Sequence, residues 1–143
     1  MDLRYFDTSV ILSMLFSDQN AERALELWDG NFARVSSSLL SLECYVNFHK
    51  FTSLVPEKLR SGWRRSGSDW LKKVLSQFYL HEIDEEIRSK IATSEVYGRC
   101  RTLDAIHLAT AGTFARETDD FSIATFDSRM KAAAEGMGFK VVF

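Results

Sequence analysis

Short apolar runs alternate with longer stretches of helical spacing along this chain. Leu3–Phe6 is a first run and ends at Asp7. Ala33–Ser36 is a second, weaker one, and Phe78–His81 a third. Phe121–Phe126, rich in aromatic and β-branched residues, is a fourth, and Phe139–Phe143 a fifth. All five read as strands. A helix begins after Asp7. Ala21–Trp28 places Ala24, Leu25 and Trp28 at helical spacing, and Leu39–Phe51 repeats Leu39, Leu42, Val46 and Phe48. Trp70–Phe78 follows Ser66–Asp69, which has the shape of a capping box. Glu82–Val96 sets Ile83, Ile87 and Ile91 four apart. Leu103–Ala115 is apolar and small-residue rich, and Ser128–Glu135 is stopped by Gly136 and Gly138. The turn-rich stretch at 61–68 is too short to divide domains. Strands separated by helices predict one domain, residues 1–143, of class α/β. A central parallel sheet of about five strands lies between two helical layers, a three-layer α/β/α architecture. In such sheets ligands bind beyond the carboxyl ends of the strands, where the strand order switches.

Composition narrows the partners. The chain has 143 residues, of which 45% are hydrophobic, with 18 basic and 20 acidic residues and a net charge of −2. Ordinary hydrophobicity and small net charge exclude intrinsic disorder. Bulk positive charge is excluded as a way to bind nucleic acid, so a polyanion needs a local patch or a metal. No apolar run reaches the roughly 20 residues of a membrane span. The opening MDLRYFDTSV lacks the apolar core of a secretory signal. Cys44 and Cys100 form no CxxC pair, so the expectation is reduced thiols and a cytoplasmic location, with no membrane partner.

Four carboxylates stand where chemistry is expected. Asp7 and Asp127 each end a strand just before a helix, and either helix capping or catalysis accounts for them singly. If their strands are neighbours, the two carboxylates approach each other. Asp104 falls in the first turn of the most apolar helix, where the helix dipole favours it and burial makes it costly unless paired. Glu43 lies mid-helix among apolar residues with no basic residue at i±4. Either an exposed stripe with Asn47 and Lys50 or a tertiary partner explains it. Gathered together, four anions repel and are stable only around a positive group. Carboxylate and water ligands suit Mg2+ or Mn2+ rather than zinc. The implied chemistry is metal-assisted hydrolysis of a phosphodiester.

The segments Asp7-Thr8-Ser9-Val10-Ile11-Leu12, Ser41-Leu42-Glu43, Leu103 through Ala111 and Thr125 through Met130, taken in order, resemble the PIN-domain ribonucleases. The nearest subgroup is the VapC-type toxins of toxin–antitoxin pairs, and the resemblance spans essentially the whole chain. It implies a Mg2+ or Mn2+ site in which Asp7 and Asp104 hold the ion most directly, with Asp127 as a further ligand and Glu43 and Asp127 acting partly through water. Ser9 and Thr125 correspond to polar residues that orient acids or water. The implied activity is endoribonuclease action on an RNA substrate, often tRNA or ribosomal RNA. The implied partners are a cognate antitoxin protein and, in a homodimer, a second copy, with the helices of residues 50–80 contributing to the dimer contact. Asp119-Asp120 departs from the family pattern and reads as a solvated loop.

Other residues divide between function and packing. Lys58, Arg60, Arg64, Arg65, Lys72 and Lys73 make a basic stretch interleaved with Trp63 and Trp70. It fits RNA contact by the cations, with the tryptophans in a core or interface. Arg99 and Arg101, just before Asp104, are placed to touch phosphate beside a metal. His107 reads as a buried, satisfied histidine, with a catalytic base as the alternative. His49 and His81 show no ligand spacing. Two other classes fit parts of the pattern. A haloacid-dehalogenase-type phosphatase requires an acid two residues after the strand-end aspartate, where this chain has Ser9. A catalytically silent binding module of the same fold sits poorly with the presence of all four acids.

Overall fold

The computed structural model describes residues 1–143. Five strands form one all-parallel sheet: β1 (Leu3–Phe6), β2 (Ala33–Ser37), β3 (Phe78–His81), β4 (Phe121–Ala124) and β5 (Val141–Val142). Their order is β3-β2-β1-β4-β5. The chain therefore builds outward from β1 to β3 on one side, then returns to place β4 on the other side of β1. The switch in strand order lies between β1 and β4, the position at which α/β sheets bind ligands. Phe6 pairs with Ala124 in the β1–β4 register, so Asp7 and the residues just before Asp127 leave the sheet side by side.

Successive residues of a strand face opposite sides, and β1 shows the consequence. Tyr5 and Phe6 are both buried, each in a different core. Phe6 packs with Val10, Ile11, Leu40, Cys44, Phe48 and Leu71. That layer is built from α1 (Thr8–Phe16), α2 (Ala21–Trp28), α3 (Leu39–Leu54) and α4 (Glu57–Leu75). Tyr5 packs with Val35, Leu108, Ala111, Ile123, Met130 and Ala134. Behind that second core lie α5 (Glu85–Thr93), α6 (Thr102–Ala115) and α7 (Ser128–Gly136). The three-layer α/β/α architecture expected from the alternation is the one observed.

Several boundaries differ from the sequence reading. The Ser/Gly-rich stretch at 61–68 is not a turn, and no capping box starts a helix there. α4 runs unbroken from Glu57 to Leu75. The reason is tertiary: Gly67 is buried, and a Cβ at that position would lie 2.4 Å from the Phe48 ring. Gly67 thus lets α4 approach α3 closely, and that packing outweighs the poor helix propensity of glycine. The helix expected at Glu82–Val96 is α5 followed by a 3-10 turn, Glu95–Arg99. Asp84 caps it by accepting the Ile87 N–H at 3.1 Å. β4 ends at Ala124 and β5 is two residues long, both shorter than the apolar runs suggested. No helix is long and apolar enough to cross a membrane.

Candidate active site

Asp7 occupies the residue before α1, yet its side chain makes no capping bond. Its buried carboxylate turns instead to β4, where Oδ2 accepts the hydroxyls of Ser9 and Thr125, each at 2.8 Å. Both hydroxyls are doubly used. Ser9 Oγ also accepts the Phe126 N–H at 2.9 Å, and Thr125 Oγ1 accepts the Asp127 N–H at 3.0 Å. Ser9 and Thr125 therefore bolt the end of β1 to the end of β4. Asp127 does cap its helix, with Oδ1 accepting the N–H groups of Arg129 (2.8 Å) and Met130 (3.2 Å).

Glu43 is not part of an exposed stripe. Its Oε1 accepts the Thr8 hydroxyl at 2.8 Å and lies 2.6 Å from His107 Nε2. The tertiary partner that its apolar surroundings called for is thus His107, the sixth residue of α6. His107 is almost fully buried, and its Nδ1 lies 2.6 Å from the Tyr5 hydroxyl. Burial pushes the Tyr5 phenol well above its ordinary value, so it keeps its proton. Asp104 makes no side-chain hydrogen bond and stands in the first turn of α6, three residues after Arg101, the residue that precedes the helix. Partial burial raises the Asp104 carboxyl above its ordinary value. The charges of Asp127 and Asp7 raise it further, and Arg101 and His107 oppose them. The hydrogen bond of Thr8, which adjoins Asp7, brings in Glu43 from α3, and Asp104 opens α6, the helix that carries Glu43's other partner, His107.

A pattern runs through the group. Asp7, Glu43 and Asp127 each commit one oxygen to protein donors and leave the other without any, while Asp104 leaves both. None of these oxygens is sealed from solvent, since Arg34 Nε is the one buried side-chain polar atom lacking a partner. Fixed anions with an open, uncommitted oxygen apiece are what a hard divalent cation requires. No three of these groups lie within 4.8 Å of one another; the trio that does is His81, Asp84 and Glu86, at the far edge of the sheet. In that trio Asp84 caps α5, Glu86 pairs with Arg116, and His81 Nδ1 contacts the Glu82 carbonyl.

Asp104 also lines a cleft of about 480 Å³ with Arg99, Cys100, Arg101 and Arg129. The three guanidinium groups make no ion pair and no side-chain hydrogen bond. Arg99 and Arg101 were expected here, and Arg129 was not. A signal for it existed: a cation in the first turn of a helix opposes the helix dipole, so Arg129 stands where structure alone disfavours it. The basic stretch on α4 divides as its charges suggested. Its lysines and arginines are mostly exposed. Trp63 stacks with Phe16 and packs against Phe48 and Phe51, and its Nε1 donates to Thr52 Oγ1 at 2.8 Å. Trp63 and Trp70 are partly buried and pack against the first core.

A parallel sheet whose order switches between its first and fourth strands, with Asp7 and Asp127 just beyond those strand ends, defines a class of α/β proteins. Within that class the PIN domain profile matches residues 4–136, and the chain belongs to the PIN domain family. A curated relative, Ribonuclease VapC35 of Mycobacterium tuberculosis, is 42% identical over 71 residues. That match takes in 48% of this chain and about half the length of the relative. Two solved structures share the fold. A toxin-antitoxin complex from Klebsiella pneumoniae has a TM-score of 0.65 at 21% identity, covering 98% of this chain and 96% of that one. VapBC2 from Rickettsia felis, bound to a DNA fragment from its promoter, has a TM-score of 0.59 at 12% identity, covering 98% and 97%.

Proposed function

We propose that this protein is a divalent-metal-dependent endoribonuclease acting as the toxin of a type II toxin–antitoxin pair. The observation that carries the reading is the set of four acids from four separate segments: Asp7, Glu43 and Asp127 are each held by one oxygen and keep the other uncommitted, and Asp104 keeps both. Asp7, Asp104 and Asp127 are the residues that would hold Mg2+ or Mn2+, and Glu43 completes the site partly through water. The bound ion would acidify the attacking water and neutralise charge on the phosphodiester. The protein's own groups do the rest. Ser9 and Thr125 hold Asp7 Oδ2, so that the carboxylate cannot rotate away to cap α1. Glu43 presents Oε2 toward water while its other oxygen is tied to Thr8 and His107. Arg99, Arg101 and Arg129 supply unpaired guanidinium groups, suited to phosphate, in the cleft that Asp104 lines.

RNA as substrate, with tRNA or ribosomal RNA as the target class, is supported by the name of the curated relative and by this unpaired arginine cleft in a chain of net charge −2. An antitoxin partner is supported by the structural neighbour from Klebsiella pneumoniae, a toxin–antitoxin complex that shares the fold over nearly the whole of both chains. A homodimer using the helices of residues 50–80 and a cytoplasmic location complete the reading. The test is incubation of purified protein with total RNA and Mg2+, with and without EDTA. Cleavage is expected only with free metal, giving 5′-phosphate and 3′-hydroxyl ends because water, not the 2′-hydroxyl, attacks. Cleavage that persists in EDTA, or products ending in 2′,3′-cyclic phosphate, would overturn the metal mechanism.

A further inference from the structure

Tyr5 and His107 are almost fully buried and Glu43 is partly so, and packing alone does not require the chain of contacts that joins them. A histidine whose only task is to fill the second core could be a leucine. Here both ring nitrogens are spent, on a phenol at 2.6 Å and on a carboxylate at 2.6 Å, and the ring meets Tyr5 edge-on at 5.8 Å. The protonation pattern follows from the partners. Tyr5 keeps its proton, having been pushed away from ionisation by burial, and can donate it to Nδ1. Nδ1 is then the acceptor, the ring proton sits on Nε2, and Nε2–H donates to Glu43 Oε1. Thr8 donates to the same oxygen at 2.8 Å. Two donors on one oxygen fix the rotation of the carboxyl group and leave Oε2 as the only free acceptor of Glu43.

We infer that His107 is a positioning residue: with its tautomer set by Tyr5, it clamps Glu43 Oε1 so that Oε2 faces the reaction site. The inference rests on the nuclease reading above. It assigns His107 no proton transfer in the reaction and no contact with substrate. Partners that orient the groups of a metal site typically contribute 10–100-fold in affinity or activity, and that is the range expected here.

The experiment is a set of single-turnover and steady-state cleavage assays on folded, purified variants, with the Mn2+ concentration for half-maximal rate measured alongside. His107→Leu should lower kcat about 10–100-fold with KM for RNA little changed. His107→Gln, whose amide nitrogen can reach the place of Nε2, should restore most of the loss. Tyr5→Phe removes one hydroxyl and keeps the ring, so it should fall between wild type and His107→Leu. The deciding measurement is the double variant. If His107 acts through Glu43, then His107→Leu adds nothing to Glu43→Gln. If the two losses multiply, or if His107→Leu cleaves like wild type, the inference is wrong. Should His107→Leu fail to fold, His107→Gln and Tyr5→Phe, each alone and combined with Glu43→Gln, decide it by the same non-additivity. Failure of the nuclease reading looks different: wild-type protein would then show no cleavage that depends on metal and on Asp104.

Discussion

Like charges gather at both ends of this sheet, and the protein treats them in opposite ways. At the amino end, Arg4 and Arg34 stand side by side in the β1–β2 register without a carboxylate partner. Arg4 Nη1 donates to the Leu27 carbonyl at 2.8 Å and Arg34 donates to the Trp28 carbonyl. These are the last carbonyls of α2, the negative end of its dipole. The Arg34 guanidinium also lies 4.4 Å from the Trp28 ring centre, and that of Arg4 lies 4.2 Å from Phe32. Fixed dipoles and aromatic faces of the protein itself answer the cations. At the carboxyl end Asp7, Glu43 and Asp127 receive donors on one oxygen only and Asp104 on neither, and burial first, then the charges of Asp127 and Asp7, raise the Asp104 carboxyl. A charge cluster whose counter-dipole is built in belongs to the fold. A cluster that the fold assembles and leaves unanswered belongs to whatever arrives from outside.

Mutations separate the two ends. Asp7→Asn or Asp104→Asn should lower RNA cleavage on the order of 10²-fold or more while the circular dichroism stays native. Arg34→Met should do the reverse. It should cost about 1–3 kcal/mol in urea denaturation through the lost charged hydrogen bond and ring contact, with cleavage per folded molecule unchanged. Loss of cleavage in folded Arg34→Met protein would erase the distinction.

Ion binding sharpens it. Mg2+ or Mn2+ should raise the melting temperature of the wild type, because binding to the native state alone stabilises it. The rise should vanish in Asp104→Asn, measured by differential scanning calorimetry at equal ionic strength.

The pH dependence has a definite sign. Asp104 binds its proton more tightly in the folded protein than at its ordinary value of 3.8. Between that value and the raised one, the native state holds the extra proton. This group therefore makes the metal-free protein more stable as pH falls through the window and less stable as pH rises through it. Asp104→Asn should remove that slope and stabilise the metal-free protein at neutral pH. The gain should be under about 1 kcal/mol, since the group is partly exposed and screened by solvent.

The smallest contrast lies within α4. Gly67→Ala must displace the Phe48 ring and should cost about 1–3 kcal/mol. Gly62, with nothing within 4 Å of a Cβ, should gain roughly 0.5–1 kcal/mol on the same change.

Much of this was readable from residues alone where the signal is local. Alternating apolar runs and helices specify a parallel sheet, because strand and helix periodicities differ and parallel strands need crossovers. Asp7, Asp104 and Asp127 stood out because they end strands or open a helix, and Glu43 because an apolar helix face offered it no neighbour. What a local window cannot hold was misread or missed. The glycine at 67 looked like a turn because its reason, the Phe48 ring, is on another helix. For Asp7 capping and catalysis both stayed open, and only the arrival of Ser9 and Thr125 at one oxygen shows that its carboxylate does not cap α1.

The amino-acid sequence by itself determined which groups are available, namely four acids spread over 121 positions, from residue 7 to residue 127, and the layers that carry them. Tertiary structure decided their state: which oxygen of each is bound, which remains open, that His107 holds Glu43 and that Arg129 joins Arg99 and Arg101. Those outcomes depend on contacts between residues far apart in the chain, Thr125 with Asp7 or His107 with Glu43. Hydrogen bonds act over about 3 Å. No spacing along the chain encodes such a distance; the closing of the sheet between β1 and β4 creates it.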